Sequence, residues 1–433
     1  MKLATANPGD KVEIHFSKLI YEGILLESPE SGIVLLKLGT GYNVGFNKKD
    51  ILEIKVLKKK SEKEEKVEIK KSSEKPNIAV IMTGGTIVNR YDSKTGGVSP
   101  LTKPEDLFKF YPEIFEKANI MKVEAPFMKA SEDMDFKDWK QIAKITEKFL
   151  NDENIKGIII AHGTDTLHYT SAALSFFLGK IHKPVVLTYS QRSSDRASSD
   201  ANLNLKCSVL AAISDITEVM IIGHGSTNDD FCYAMPGTKV RKMHSSRRDA
   251  FKVVNDEPFA KIYPAPSGVH PSTKLEDNRI EILRDYHRRN NGKVKLDLKF
   301  EEKVALLKFY PGQNPDILDY YLKNKYKGII IEASGLGHVP ALSSRNSWIP
   351  TLKKIIEKGI FVGITTQCIY GRVDPYVYSN LRVLKDTGAV FLEDMLSETA
   401  LVKLGWVLGH PEWNVKEKML ENFSGELNNR LEE

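Results

Sequence analysis

Four short stretches of this 433-residue chain hold the side chains that could do chemistry. The first is "IAVIMTGGTIVN", where an apolar run ends in Thr83-Gly84-Gly85-Thr86. A hydroxyl at a strand tip, behind two glycines that permit close backbone approach, suits a plain turn or a threonine nucleophile. A phosphate cradle fits poorly, because neither GxGxxG nor a Gly-Lys-Ser/Thr ending is written here and the following residues are poor in helix signals. The second stretch, "HGTDTLHYT", follows the run "KGIII" and sets Thr164 and Asp165 at a strand's carboxyl end, where a helix begins. Either residue could serve as a helix N-cap, worth about 1 kcal/mol. His162 and Asp165 suggest a metal only weakly, since no third ligand stands beside them. The third, "MPGTKVRKMHSSRRDAF", crowds Lys242 among Arg241, Arg247 and Arg248. That is a basic surface loop or a lysine placed to work as a base. The fourth, "KASEDMDF", puts Ser131, Glu132 and Asp133 just after a predicted strand, and taken singly they read as an acidic helix start.

The elements that must position these residues are legible from hydrophobic pattern. "NIAVIM", "KGIIIAHG", "KPVVLTYS" and "EVMIIGHG" are near-continuous apolar runs, as expected of strands buried on both faces. Between them "DFKDWKQIAKITEKFL" repeats its apolar residues at helical spacing, so the alternation predicts a parallel α/β sheet. The alternation lapses between about 231 and 300 and resumes after Lys303 with "KVALLKFYPG", "YKGIIIEASG" and "IFVGITTQ". Ahead of all this, residues 9–57 read as short strands punctuated by Gly, Pro, Asn and Ser, which predicts a small all-β barrel. "KKKSEKEEKVEIKKSSEKP" then has the composition of a linker. The expected organisation is a β-barrel over 1–57, a charged linker over 58–76, a larger α/β domain over 77–300 and a smaller α/β domain over 301–433.

Composition narrows the classes. No apolar run approaches the roughly 20 residues that span a bilayer, so no membrane is expected. Cys207, Cys232 and Cys368 are odd in number and widely spaced, which argues against a disulfide framework or a zinc cluster. A cytoplasmic location follows as the expectation. Net charge is +6, and the eight Lys and five Glu between Lys58 and Lys75 supply half of that excess. The linker is then a solvated tether or lies near an acidic partner such as tRNA.

Each stretch is ambiguous alone, but "TGGT", "SEDM", "HGTDT" and a later lysine, in this order, resemble the bacterial-type L-asparaginase family over roughly residues 77–415. The resemblance implies that Thr86 is the nucleophile toward a side-chain carboxamide and that Thr164, Asp165 and Lys242 form its proton relay. It further implies that Ser131, Glu132 and Asp165 bind the amino-acid head group, and that "IVNRYDSKTGGVSP" is a lid. Family lids carry a tyrosine near the nucleophile; Tyr91 stands closer than that pattern expects and is not counted as catalytic. The preceding barrel and tether, with "QRSSDRASSDANLNL" from Gln191, resemble the D-subunit family of archaeal Glu-tRNA(Gln) amidotransferases. That resemblance implies a glutaminase whose ammonia passes to a second subunit, which amidates Glu-tRNA(Gln) with ATP and Mg. This chain would then need no cofactor, would meet tRNA mainly through its partner, and would form a homodimer core within a heterotetramer. The alternative is a stand-alone asparaginase or glutaminase with a fused barrel, and a third is a silent scaffold that binds RNA through the barrel.

Overall fold

The computed structural model describes residues 6–26, 28, 32–38, 43–59, 72–91, 98–100, 117–193, 199–264 and 279–429. Strands β1 (Lys11–His15), β2 (Ile20–Leu26), β3 (Ile33–Leu38), β4 (Asn43–Asn47) and β5 (Glu53–Lys58) form an antiparallel sheet in the order β4-β3-β2-β1-β5. Their alternation turns Val12, Ile14, Leu25, Val34, Leu36 and Ile54 into a small core of their own. This is the small β domain expected ahead of the charged stretch. The expected linker has ordered ends: Lys58 still belongs to β5, and Asn119 holds the backbone of Ser72 and Lys75 through its side-chain amide. Residues 60–71 lie outside the described residues.

An eight-stranded sheet follows. After β6 (Asn77–Met82) the chain forms a small pair, β7 (Asn89–Tyr91) and β8 (Val98–Pro100), then β9 (Asn119–Glu124), β10 (Gly157–Ala161), β11 (Val185–Thr188) and β12 (Val219–His224). Neighbours in the series β9-β6-β10-β11-β12 are all parallel. Successive residues face opposite sides of the pleat. Ala79, Ile81, Ile158 and Ile160 therefore pack on the helices Phe136–Leu150 and Leu167–Leu178, whereas Ile78, Val80, Ile159 and Ala161 face Ala201–Ile213. Burial on both faces is why these strands lack a polar register.

The lapse in alternation has a structural origin. β13 (Cys232–Pro236), β16 (Ala260–Tyr263) and β17 (Arg279–Ile282) extend the sheet antiparallel, while β14 (Val240–Lys242) and β15 (Phe251–Val253) form a separate ribbon that carries Lys242. The expected parallel sheet is thus mixed. A second sheet of β18 (Val304–Lys308), β19 (Gly328–Ala333), β20 (Phe361–Thr366) and β21 (Val390–Phe391) is parallel throughout. The helix Ser397–Leu408 closes it and shares one core with Leu167–Leu178. Contacts at Lys239–Asp394, Thr399–Thr238 and Asn255–Gly371 also join the sheets.

Strand order reverses at β6, which has β9 on one side and β10 on the other. Ligands of open α/β sheets bind beyond the carboxyl ends of the strands at such a point. Thr83–Thr86 and Gly163–Asp165 emerge there.

Candidate active site

The glycines of "TGGT" are demanded by close packing. Thr83 donates both its N–H and its hydroxyl to Ala161 O, each at 3.0 Å, and accepts from Lys129 N at 3.0 Å. The carboxyl ends of β6 and β10 and the chain after β9 are stitched together by one residue. Gly84 and Gly85 then take φ of +123° and +80°. A Cβ on Gly84 would lie 2.0 Å from Lys129 O, and one on Gly85 would lie 2.3 Å from Gly163 Cα. Thr86 and Thr164 each follow directly after this glycine contact. Thr86 is half-buried at the head of a one-turn helix anchored by the buried Ile87 and Val88. Among the described residues no hydrogen bond engages its hydroxyl. Gly85→Ala is expected to push the two turns apart by an ångström or so and to lower turnover roughly 10²-fold, measured as ammonia release beside the unfolding midpoint.

Ser131 is buried and holds the second turn in place. Its carbonyl accepts the Thr166 hydroxyl at 2.6 Å, and its own hydroxyl accepts Asp165 N at 3.1 Å. The helix-start reading of this stretch is corrected: Ser131–Asp133 is a separate one-turn helix, and the long helix begins at Phe136 behind a capping box of Asp135 and Asp138. Glu132 is exposed on that turn, free of ion pairs among the described residues. The N-cap reading of Thr164 and Asp165 is corrected in the same way. Thr166 occupies the cap position without a capping bond, which leaves the other two side chains available.

Lys242, at the end of β14, supplies the remaining contact. Its Nζ donates to Thr164 Oγ1 at 2.8 Å and to Asp165 Oδ1 at 2.6 Å. The lysine side chain is 12% exposed and that of Asp165 61%, so the amine is enclosed and the carboxylate is open. The arginines are not crowded around it. Arg241, which points the other way along the strand, reaches Glu398 at 3.0 Å and Glu332 at 3.6 Å. Arg247 pairs with Asp249 and Arg248 with Asp229. Each positive charge has its own carboxylate.

His162 is a buttress. Its Nδ1 lies 2.7 Å from Gly163 O, which can only accept, so Nε2 receives the Thr170 hydroxyl at 2.9 Å. Complete burial pushes this imidazole down to about 4, and it is neutral near pH 7. Among the described residues no group of three or more His, Cys, Asp or Glu could hold a metal. His168 and Glu398 were not singled out by sequence reasoning. Burial, with the charges of Arg241 and Lys242, pushes His168 down to about 3. Burial raises Glu398 while Arg241 opposes the shift. Their signal in the sequence was a polar residue inside an apolar helix, "TLHYTSAALSFF" and "LSETALVKLGW". Tyr91 ends β7 opposite Val98, and residues 92–97 of the expected lid lie outside the described residues.

Residues 77–274 match the family model "Asparaginase, N-terminal", and residues 303–419 match "Glutaminase/Asparaginase C-terminal domain". Residues 6–57 match "GatD N-terminal domain". The thermostable L-asparaginase from Thermococcus kodakarensis superposes with a TM-score of 0.68 at 27% identity, over 82% of this chain and 100% of that one. L-asparaginase I from Vibrio cholerae gives 0.64 at 27%, over 82% and 99%. Similarity in sequence extends further. The D subunit of glutamyl-tRNA(Gln) amidotransferase from Pyrococcus furiosus is 47% identical over 99% of this chain and 94% of its own length. Its counterpart from Methanococcus maripaludis is 41% identical over 98% of each. With body and N-terminal domain both matched, the chain belongs to the family of glutamyl-tRNA(Gln) amidotransferase D subunits.

Proposed function

We propose that Thr86 is the nucleophile of a glutaminase that supplies ammonia for the amidation of Glu-tRNA(Gln). The observation that carries the site assignment is the Lys242 amine set between Thr164 and Asp165, one residue past the Gly85–Gly163 contact. A threonine hydroxyl is a weak nucleophile and needs a base within hydrogen-bond reach. Thr164 takes the proton from Thr86 as it hands its own to a neutral Lys242. In the free chain Lys242 is ion-paired with Asp165. The ammonium of a bound amino acid also meets the exposed Asp165 carboxylate.

Thr86 Oγ then bonds to the carboxamide carbon, and the charge on oxygen falls to the backbone N–H groups around Gly85 and Thr164. The loss of one such donor typically costs about 10²–10³ in rate. The C–N bond breaks, ammonia leaves with the relayed proton, and water cleaves the acyl-threonine ester to release glutamate. Ser131 meets the substrate carboxylate, and Glu132 joins Asp165 at its ammonium. The relay is complete in this chain without a cofactor; ATP and Mg belong to the partner, which receives the ammonia. A homodimer core inside a heterotetramer, working in the cytoplasm, accords with this role, and no helix among the described residues is long and apolar enough to cross a membrane.

The test is ammonia release from glutamine and from asparagine by the chain alone, then with its partner subunit and Glu-tRNA(Gln), each beside Thr86→Ala. The expected result is a large rise that needs partner and tRNA and vanishes in the variant. Full activity from the chain alone would instead make it a free-standing amidohydrolase.

A further inference from the structure

A cavity of about 690 Å³ opens at the amino ends of β10 and β11, the opposite end of the sheet from Thr86. Lys156, His182, Lys183, Arg289 and Lys293 line it against one acid, Glu153. Their charges are held in place and only partly offset by Glu153, Asp152 and Asp215. The Arg289 guanidinium donates to three backbone carbonyls, those of Ser214 at 2.6 Å, Lys156 at 2.5 Å and Ala212 at 3.0 Å, and Asp215 takes only its backbone N–H. Lys183 Nζ donates to the Asp152 carbonyl at 2.7 Å, while the Asp152 carboxylate is drawn off to Lys122 at 3.2 Å. Lys156 and Lys293 are exposed and free of ion pairs among the described residues. The groups also act on one another: burial lowers Lys183, the Asp152 charge opposes that shift, and Lys156 and Arg289 lower it further. His182 is lowered first by burial and then by Lys183. Like charges gathered around a hollow destabilise the empty state and favour an anion within it.

We infer that this cavity docks the phosphodiester backbone of the tRNA brought to the amidotransferase, an inference that rests on the function proposed above. The side chains suit a run of phosphates. Arginine's fork suits carboxylates and phosphates alike, and here the fork is spent on carbonyls. What remains outward is lysine, a point charge suited to phosphates whose positions vary. Asn290 and Asn291 in the lining add amides of the kind that contact phosphate and sugar. A strand held here leaves the catalytic end of the sheet open to glutamine.

The test uses the chain assembled with its partner subunit and compares wild type with Lys156→Gln/Lys293→Gln, both exposed and outside the glutaminase machinery. Binding of tRNA(Gln) is measured by filter retention between about 50 and 200 mM salt, with tRNA-independent ammonia release as the control. The expected result is roughly tenfold weaker binding at low salt. The log–log salt slope should fall by about 0.9 for each phosphate contact removed, with basal ammonia release unchanged. Unchanged affinity and slope in the variant would overturn the docking site while leaving the amidotransferase reading intact. Loss of partner association instead would assign the cavity to an acidic protein surface and also overturn it. So would full protection of the cavity lysines from acylation by inorganic phosphate or AMP, with none by tRNA. A wild-type complex that ignores tRNA would bring down both readings together.

Discussion

Thr86→Ala lowers glutaminase turnover by about 10⁴–10⁶, and adding Lys242→Met to it lowers turnover no further. Groups that act as a unit behave in this way: once the nucleophile is gone, a base that serves only the nucleophile has nothing to activate. Lys242→Met alone should approach the same floor, since it removes the acceptor at the end of the relay. Thr164→Val should do so too, because the Lys242 amine reaches the relay through the Thr164 hydroxyl at 2.8 Å. Stability should barely move in any of the three. Asp165 is 61% exposed, so water solvates it when the lysine is lost, and an exposed ion pair contributes about 0–1 kcal/mol. Steady-state kinetics on the four proteins, beside urea unfolding, separates the roles. A double variant much slower than Thr86→Ala would mean that Lys242 acts through some route other than Thr86.

The same residues show why part of the site could be read in advance. Glycines at 84, 85 and 163 and hydroxyls at 86 and 164 are local signals, because strand ends and turns demand particular residue types at fixed offsets. The apolar runs of β6, β10, β11 and β12 were equally plain, since burial on both faces leaves no other composition. The partner of Lys242 was a different matter. Lys242 lies 78 residues away from Thr164, and only the resemblance to a family joined them. Cap preferences misled at Ser131, Thr164 and Asp165 because local propensity cannot see a tertiary partner. Asp135 and Thr166, neighbours of the same general type, take the helix-start positions instead. Arg241 was misread for the same reason. Its carboxylates, Glu332 and Glu398, come from the second sheet and its closing helix, and no spacing rule links them to β14. The antiparallel strands after residue 231 were hidden by their shortness, with turns between them as dense as in any loop.

Lys239→Met destabilises the fold by about 3–5 kcal/mol, the effect expected when one partner of a buried ion pair is removed. Both side chains of Lys239–Asp394 are 0% exposed and their charged atoms are 2.5 Å apart. Burial alone pulls the lysine down and the Asp394 charge opposes that shift, so each ion is tolerated because of the other. Without the lysine, Asp394 keeps the Asn428 N–H at 3.0 Å and little else for a full negative charge. Adding Asp394→Asn should therefore recover most of the loss: the amide is uncharged, and its oxygen still accepts from Asn428. A cycle built from wild type, the two single variants and the double, measured by urea unfolding, isolates the coupling. An additive cycle would mean that the loss comes from packing and not from the stranded charge. The pair also bears on catalysis, since Lys239 lies three residues before Lys242 and Asp394 follows β21. Breaking it loosens the second sheet from the ribbon that carries the base. The Lys239→Met protein should lose turnover even where it remains folded, and the double variant should regain both.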